Sequence, residues 1–222
     1  MLNPNCMVEE ITYTPRFLPF SLSNPVSKVS CGAKYTIFVT KLGDVWACGG
    51  GECGQLGNGR CTFQEIPKKI TFNGVSTQIV DAAAGWGHVI ACSVSGEVYS
   101  WGMNKHGQLG LGDTATRFKP VKLSGSNLRA VYANMYSSAG IDSSGRLFTW
   151  GCGTHFRLMH GSESHLHSPT EVTSMGNNAI DSFAFSLQGS AAMALTTIHK
   201  VICSSRIREL IINSNASAIF PL

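Results

Sequence analysis

Histidine and cysteine are the side chains here best equipped for chemistry. His155, His160, His165 and His167 follow closely on Cys152. Imidazole and thiolate hold zinc when several converge, and structural zinc sites carry them at ordered spacing. These residues fit no common zinc pattern, so the stretch reads as a solvated variable loop and no metal is expected. His88 invites a general-base reading, but no Ser or Asp stands in phase with it. It reads instead as a structural histidine, hydrogen-bonded within its own unit of the fold. Asp44 and Glu97 hold the same place in successive copies of a repeat, which argues against one paired acid–base site. Gly49-Gly50-Gly51-Glu52-Cys53-Gly54 lacks the Gly-Lys-[Ser/Thr] ending of a phosphate loop. Gly85-Trp86-Gly87-His88 lacks the strand–turn–helix context of a dinucleotide fingerprint. No catalytic residue and no cofactor is assigned, and the chain is not expected to be an enzyme.

Composition narrows the class. Charged residues make up 14% of the 222 and hydrophobic ones 43%, a balance that favours a packed core over disorder. The net charge of +4 is scattered. The densest basic stretches, Lys68-Lys69 and Arg117, Lys119, Lys122, fall short of a nucleic-acid or membrane tail. Chromatin and nucleic acid are therefore not supported as partners. No run of 18 apolar residues occurs, and the first ten residues do not resemble a secretory signal. The eight cysteines contain no C-x-x-C pair. Free, mostly buried thiols in a reducing compartment, cytoplasmic or nuclear, are expected.

The 24 glycines are in excess, and they recur in register. Gly32, Gly43, Gly49, Gly54, Gly57 and Gly59 return 53 residues later as Gly85, Gly96, Gly102, Gly107, Gly110 and Gly112. Between them, Gly43-Asp44-Val45-Trp46-Ala47-Cys48-Gly49 matches Gly96-Glu97-Val98-Tyr99-Ser100-Trp101-Gly102. A third copy, 49 residues on, reads Gly145-Arg146-Leu147-Phe148-Thr149-Trp150-Gly151. There the Gly-Gln-Leu-Gly element has become Phe156-Arg157-Leu158-Met159. Pro-x-x-[aliphatic] marks the same period at Pro19, Pro67, Pro120 and Pro169. The fourth copy breaks off near Leu195.

Each copy reads as four short strands. In the second they are Pro67–Ile70, 78–84, 88–93 and 97–101. Four antiparallel strands per ~50 residues describe a propeller blade. The expected organisation is an N-terminal segment 1–18, repeats 19–66, 67–119, 120–168 and 169–200, and an unmatched tail 201–222. The fold class is all-β: a β-propeller of about three complete four-stranded blades and one incomplete blade.

These elements resemble the regulator of chromosome condensation family of repeats. The matching residues are Gly85-x-x-His88, Gly96-Glu97-Val98-Tyr99-x-Trp101-Gly102 and Gly107-Gln108-Leu109-Gly110-x-Gly112, and the likeness covers about 19–195. It implies a ring of usually about seven blades. Its founding member is a chromatin-bound exchange factor for a small nuclear GTPase, and many relatives only bind other proteins. The resemblance thus implies a protein-interaction or regulatory module. The alternatives are a guanine nucleotide exchange factor for a Ras-like GTPase and a fragment without independent function. A ring of full size needs on the order of 350 residues. The chain is accordingly expected to be part of a longer propeller, an open arc, or a ring completed by self-association, the first being favoured.

Partner-binding candidates are loop residues of one rim: Trp86, Lys105, His106, Arg117 and Arg157. Trp86, in a turn, suits either a partner anchor or a cover for its own blade. The repeat register itself can be tested. Gly102→Val should disrupt folding by crowding a strand junction, whereas Lys105→Ala should leave stability unchanged within ~0.5 kcal/mol. Thermal unfolding in the reverse order would show the register to be wrong.

Overall fold

Alternating small and apolar residues between glycine turns form short antiparallel strands, and the computed structural model groups them into four sheets. It describes residues 24–72, 77–176, 178–186 and 191–204. The Pro19 marker, the segment 1–18, Gly189-Ser190 and the tail beyond 204 lie outside the described residues. The first sheet holds β1 (Val26–Cys31), β2 (Tyr35–Thr40), β3 (Val45–Gly49) and β4 (Gln64–Lys69), in that order. The second holds β5 (Ile79–Ala84), β6 (His88–Ser93), β7 (Val98–Gly102) and β8 (Arg117–Lys122). The third holds β9 (Leu128–Ala133), β10 (Ser137–Asp142), β11 (Leu147–Gly151) and β12 (Leu166–Glu171). The fourth has three strands, β13 (Ile180–Phe185), β14 (Ala192–Thr196) and β15 (Val201–Cys203). Among the described residues the chain forms consecutive β-propeller blades, three of four strands and one of three.

Two expectations about strand placement change. The Pro67 strand does not open the second blade. It pairs with β3 as the outermost strand of the first, so each sequence unit lends its first strand to the preceding sheet. Proline explains the position. It has no N–H to donate, and Pro67, Pro120 and Pro169 all fall where the outer pairing loses register. The second change is that β15 extends the fourth sheet past residue 200, where the unmatched tail was expected to begin.

The sheets stack face to face, with β5 against β1 and β2, β9 against β5 and β6, and β13 against β9 and β10. Each apolar core lies between two sheets. Ile37, Val45, Leu56, Ile79, Val89 and Trp101 fill the first junction. Ile90, Val98, Leu128, Val131 and Trp150 fill the second. Ile141, Leu147, Met159, Ile180 and Phe183 fill the third. Phe72 sets its ring edge-on to Tyr99 at 5.1 Å and Trp101 at 5.9 Å. Cys48, which aligns with Trp101 and Trp150, is only half-buried, because no preceding blade among the described residues covers it. The thiols are less buried than expected: of the seven described, Cys92 and Cys152 are buried and Cys31 and Cys61 exposed.

Buried hydrogen bonds cross these junctions. Trp101 Nε1–H donates to the Gln55 carbonyl at 2.9 Å, and Trp150 Nε1–H to the Gln108 carbonyl at 2.9 Å. The Gly-Gln-Leu-Gly loop of one blade therefore receives the indole of the next. Its last glycine makes room, since a Cβ on Gly110 would stand 2.8 Å from Trp150 Nε1. The third copy keeps this loop shape without glycine. Phe156 (φ 57°) and Met159 (φ 65°) hold the left-handed conformation of Gly107 (φ 76°) and Gly110 (φ 72°). Met159 can take the place of glycine because Ser204, not Trp, stands at the matching position of the fourth sheet. No indole has to enter, and the methionine side chain fills the core there.

The repeat's charged positions also pair across strands. Asp44 bonds Lys69 at 2.7 Å and Glu97 bonds Lys122. In the third blade the signs exchange, with Arg146 facing Glu171 at 3.5 Å. The carboxylates Asp44 and Glu97 thus sit in separate blades. A left-handed non-glycine residue costs roughly 1–2 kcal/mol. Phe156, partly exposed, should accordingly gain about 1 kcal/mol of stability as Phe156→Gly, read as a higher urea midpoint. A lower midpoint would mean that its ring packing outweighs the strain.

Candidate partner-binding rim

The turns β5–β6 and β9–β10 and the loops after β7 and β11 all leave the same ends of their strands. Loops on a fixed scaffold can present side chains precisely, and here they present aromatic rings. Trp86 is 41% exposed. Its ring lies 6.1 Å from Tyr136, which lies 5.1 Å from His106, which meets His165 edge-on at 5.0 Å. The backbone beneath is fixed. Trp86 N–H donates to the Asn134 carbonyl at 3.2 Å, and its carbonyl accepts from Ala33 N–H at 3.4 Å. Tyr136 N–H and Ser137 N–H both donate to Asn134 Oδ1. Asn134, standing where earlier copies have glycine, therefore ties the turn with its side chain. Beside Trp86 a cleft of about 330 Å³ opens at the inner strand ends, lined by Cys31, Ala84, Ala133, Met135 and Phe185 among others. A larger cavity of about 580 Å³ lies at the other strand ends, among Ser124–Leu128 and Asp142–Arg146.

Three of the five candidate residues come together. Trp86 and His106 belong to the aromatic row, and Lys105 is exposed next to it. Arg157 lies behind the rim, 5% exposed, with its guanidinium donating to the Thr154 carbonyl and Oγ1 at 2.8 and 2.7 Å. It replaces Gln108 of the preceding copy, whose Oε1 accepts from His106 N–H at 2.9 Å. Arg157 thus shapes its loop and presents little surface. Arg117 starts the outer strand β8 and is committed to Asp113 at 2.6 Å and the Ala115 carbonyl at 2.7 Å. Tyr136 and His165 were not singled out by sequence as rim residues. They reach the row through blade stacking, which no repeat register displays. Burial, then the charges of His165, Arg157 and Lys105, lower the His106 pKa and favour its neutral ring.

His88 is fully buried. Contrary to the expectation of a bond within its own blade, its ring bonds across the junction. Ser138 Oγ–H donates to the Gln108 carbonyl at 2.8 Å, so Ser138 Oγ must accept from His88 Nε2–H, 3.0 Å away. Tyr35, the equivalent residue one repeat earlier, does the same with its hydroxyl, donating to the His88 carbonyl at 2.6 Å. The position is a bridge between blades.

The Regulator of chromosome condensation (RCC1) repeat profile matches residues 43–92, 95–134 and 144–193, and a second RCC1 repeat profile matches 26–55 and 79–108. The chain belongs to the RCC1 repeat family. It is 34% identical to the ultraviolet-B receptor UVR8 of Arabidopsis thaliana over 165 residues, which is 72% of this chain and 37% of UVR8. It is 27% identical to the probable E3 ubiquitin-protein ligase HERC4 of Homo sapiens, over 83% of this chain and 18% of HERC4. Among solved structures, human WBSCR16 superposes with TM-score 0.70 at 25% identity, over 80% of this chain and 46% of that one. Prp20p of Saccharomyces cerevisiae superposes with TM-score 0.63 at 20% identity, over 71% of this chain and 41% of that one. The chain spans less than half the length of each of these proteins.

Burial lowers the His88 pKa to about 3. Because the unfolded chain protonates first, stability is full above about pH 6.5 and falls as pH drops towards 3. Between pH 7 and pH 5 this group should cost about 2 kcal/mol. Urea unfolding of wild type and His88→Gln at both pH values checks it. The variant should show a correspondingly smaller loss, and equal losses would contradict a buried neutral His88.

Proposed function

We propose that this RCC1-repeat propeller is a protein-binding module, and that it grips its partner on the rim bearing Trp86, Tyr136, His106 and Lys105. The observation that carries the reading is the aromatic row itself. An exposed indole on a backbone held from both sides, flanked by further rings, has the character of an interface anchor that loses little entropy on binding. Lys105, with the charge of Arg157 behind it, favours an acidic segment on the partner. Binding of this kind needs no covalent chemistry, and the ligase activity named for HERC4 is not carried over to a chain matching 18% of it. A cytoplasmic or nuclear setting goes with the reading, as does completion of the ring by further blades or a second copy.

A second reading is guanine nucleotide exchange on a Ras-like GTPase. What supports it is the shared fold with Prp20p, whose crystal structure was described together with its binding to Gsp1p and histones. An exchange factor works by binding the nucleotide-free state of its GTPase more tightly than the loaded one.

Quantitative affinity capture separates the readings. Partners retained by wild type should be lost with Trp86→Ala combined with Lys105→Glu, and kept with Ser144→Arg at the opposite strand ends. Equal loss from both would place the interface elsewhere. A captured small GTPase whose labelled GDP is released faster in the presence of the chain would favour exchange, and capture without acceleration would favour binding alone.

A further inference from the structure

We propose that His106, Cys152 and His165 form a binding site for one zinc(II) ion, clipping the second blade to the third. The three residues come from three segments: His106 from the loop after β7, Cys152 from the end of β11, and His165 from the approach to β12. Their ligand atoms all lie within 4.8 Å of one another. His106 Nδ1 and His165 Nε2 are 3.3 Å apart. Zn–N bonds of 2.0–2.1 Å at a tetrahedral angle put two nitrogens about 3.3 Å apart, so the imidazole pair already spans one edge of the polyhedron.

The scaffold holds the ligands in place. Cys152 N–H donates to the Tyr136 carbonyl at 2.9 Å, and the Cys152 carbonyl accepts from Ser137 Oγ–H at 2.7 Å. The His106 ring packs on Tyr136. Gly153 lets the two strands of the loop close. A Cβ there would collide with the Ser164 carbonyl, and this close approach is what brings His165 beside Cys152. Thr154 Oγ1, 3.3 Å from Cys152 Sγ, is placed to donate to a thiolate, the kind of outer contact that tunes a metal ligand.

The fold does not demand this set. At the preceding junction the repeat puts Cys53, Met103 and Thr116 in the equivalent places. Two imidazoles and a thiolate are a zinc ligand set, and three protein ligands leave a fourth position for water or a partner's side chain. On binding, the Cys152 thiol proton passes to solvent and the metal keeps its oxidation state. His165 coordinates through Nε2 with its proton on Nδ1, giving up the long 3.3 Å contact from Gly153 N–H. The site stands independently of whether the rim binds protein.

The test uses the full chain with zinc(II) against a chromophoric chelator, and cobalt(II) as the spectroscopic probe. The expected result is one equivalent of zinc per chain and a cobalt spectrum with tetrahedral visible bands and a thiolate charge-transfer band. Cys152→Ser should abolish the charge-transfer band. His106→Gln and His165→Gln should each weaken zinc binding at least tenfold, whereas His155→Gln and His160→Gln should leave it unchanged. His165 is exposed, so its variant remains informative even if the buried Cys152 variant fails to fold. No zinc retained by wild type, no charge-transfer band, or undiminished binding in His165→Gln would overturn the proposal.

Discussion

An indole N–H buried between two sheets must find an acceptor there, because water cannot reach it. In this chain the acceptor is a backbone carbonyl of the preceding blade, Gln55 for Trp101 and Gln108 for Trp150. A bond of this kind contributes about 1 kcal/mol net, but leaving either group unpaired costs about 1–3 kcal/mol. That asymmetry ties the rest of the structure to it. The glutamine side chain folds back to hold its own loop, the following leucine fills the junction, and the last glycine admits the indole. A motif that reads as a loop signature is thus a receptor for the neighbouring blade. Where the neighbour has Ser204 in place of tryptophan, the receptor loses its glycines yet keeps its backbone path, and Met159 fills the space.

The sequence carried the repeat, the strands and the recurring glycines, because these return at a fixed spacing and each copy is built alike. It was silent on how the copies fit together. Pro67 looked like the start of a unit because the marker precedes the unit's other strands in the chain, yet it pairs with the strand before it. His88 looked self-contained because its partner, Ser138, belongs to another copy. Arg157 reads as a rim candidate in sequence, although it stands in a glutamine position whose side chain turns inward. Tyr136 and His165 had no periodic signal at all. Loops that differ between copies meet only through blade stacking, and linear spacing does not report that meeting. The loop histidines likewise looked unrelated in sequence, although one of them, His165, lies against His106 of another blade.

The same division of labour supports the functional reading. The junctions repeat and are buried, so they fix the blades; the rim loops vary, so they can carry recognition. Trp86 is held by blades on both sides, through Ala33 and Asn134, which makes the exposed ring a product of stacking and not of its turn alone. His106 joins that ring row to the Cys152–His165 loop, so order in one is coupled to order in the other.

The most direct test of this account is native-state hydrogen exchange of the indole N–H groups, followed by NMR. If the carbonyls of Gln55 and Gln108 hold the blades together, the Trp101 and Trp150 indole protons should exchange slowly and with one common free energy, far behind the exposed Trp86. Exchange of either as fast as Trp86, or at clearly different free energies for the two, would contradict the claim that these bonds join the blades into one cooperative body.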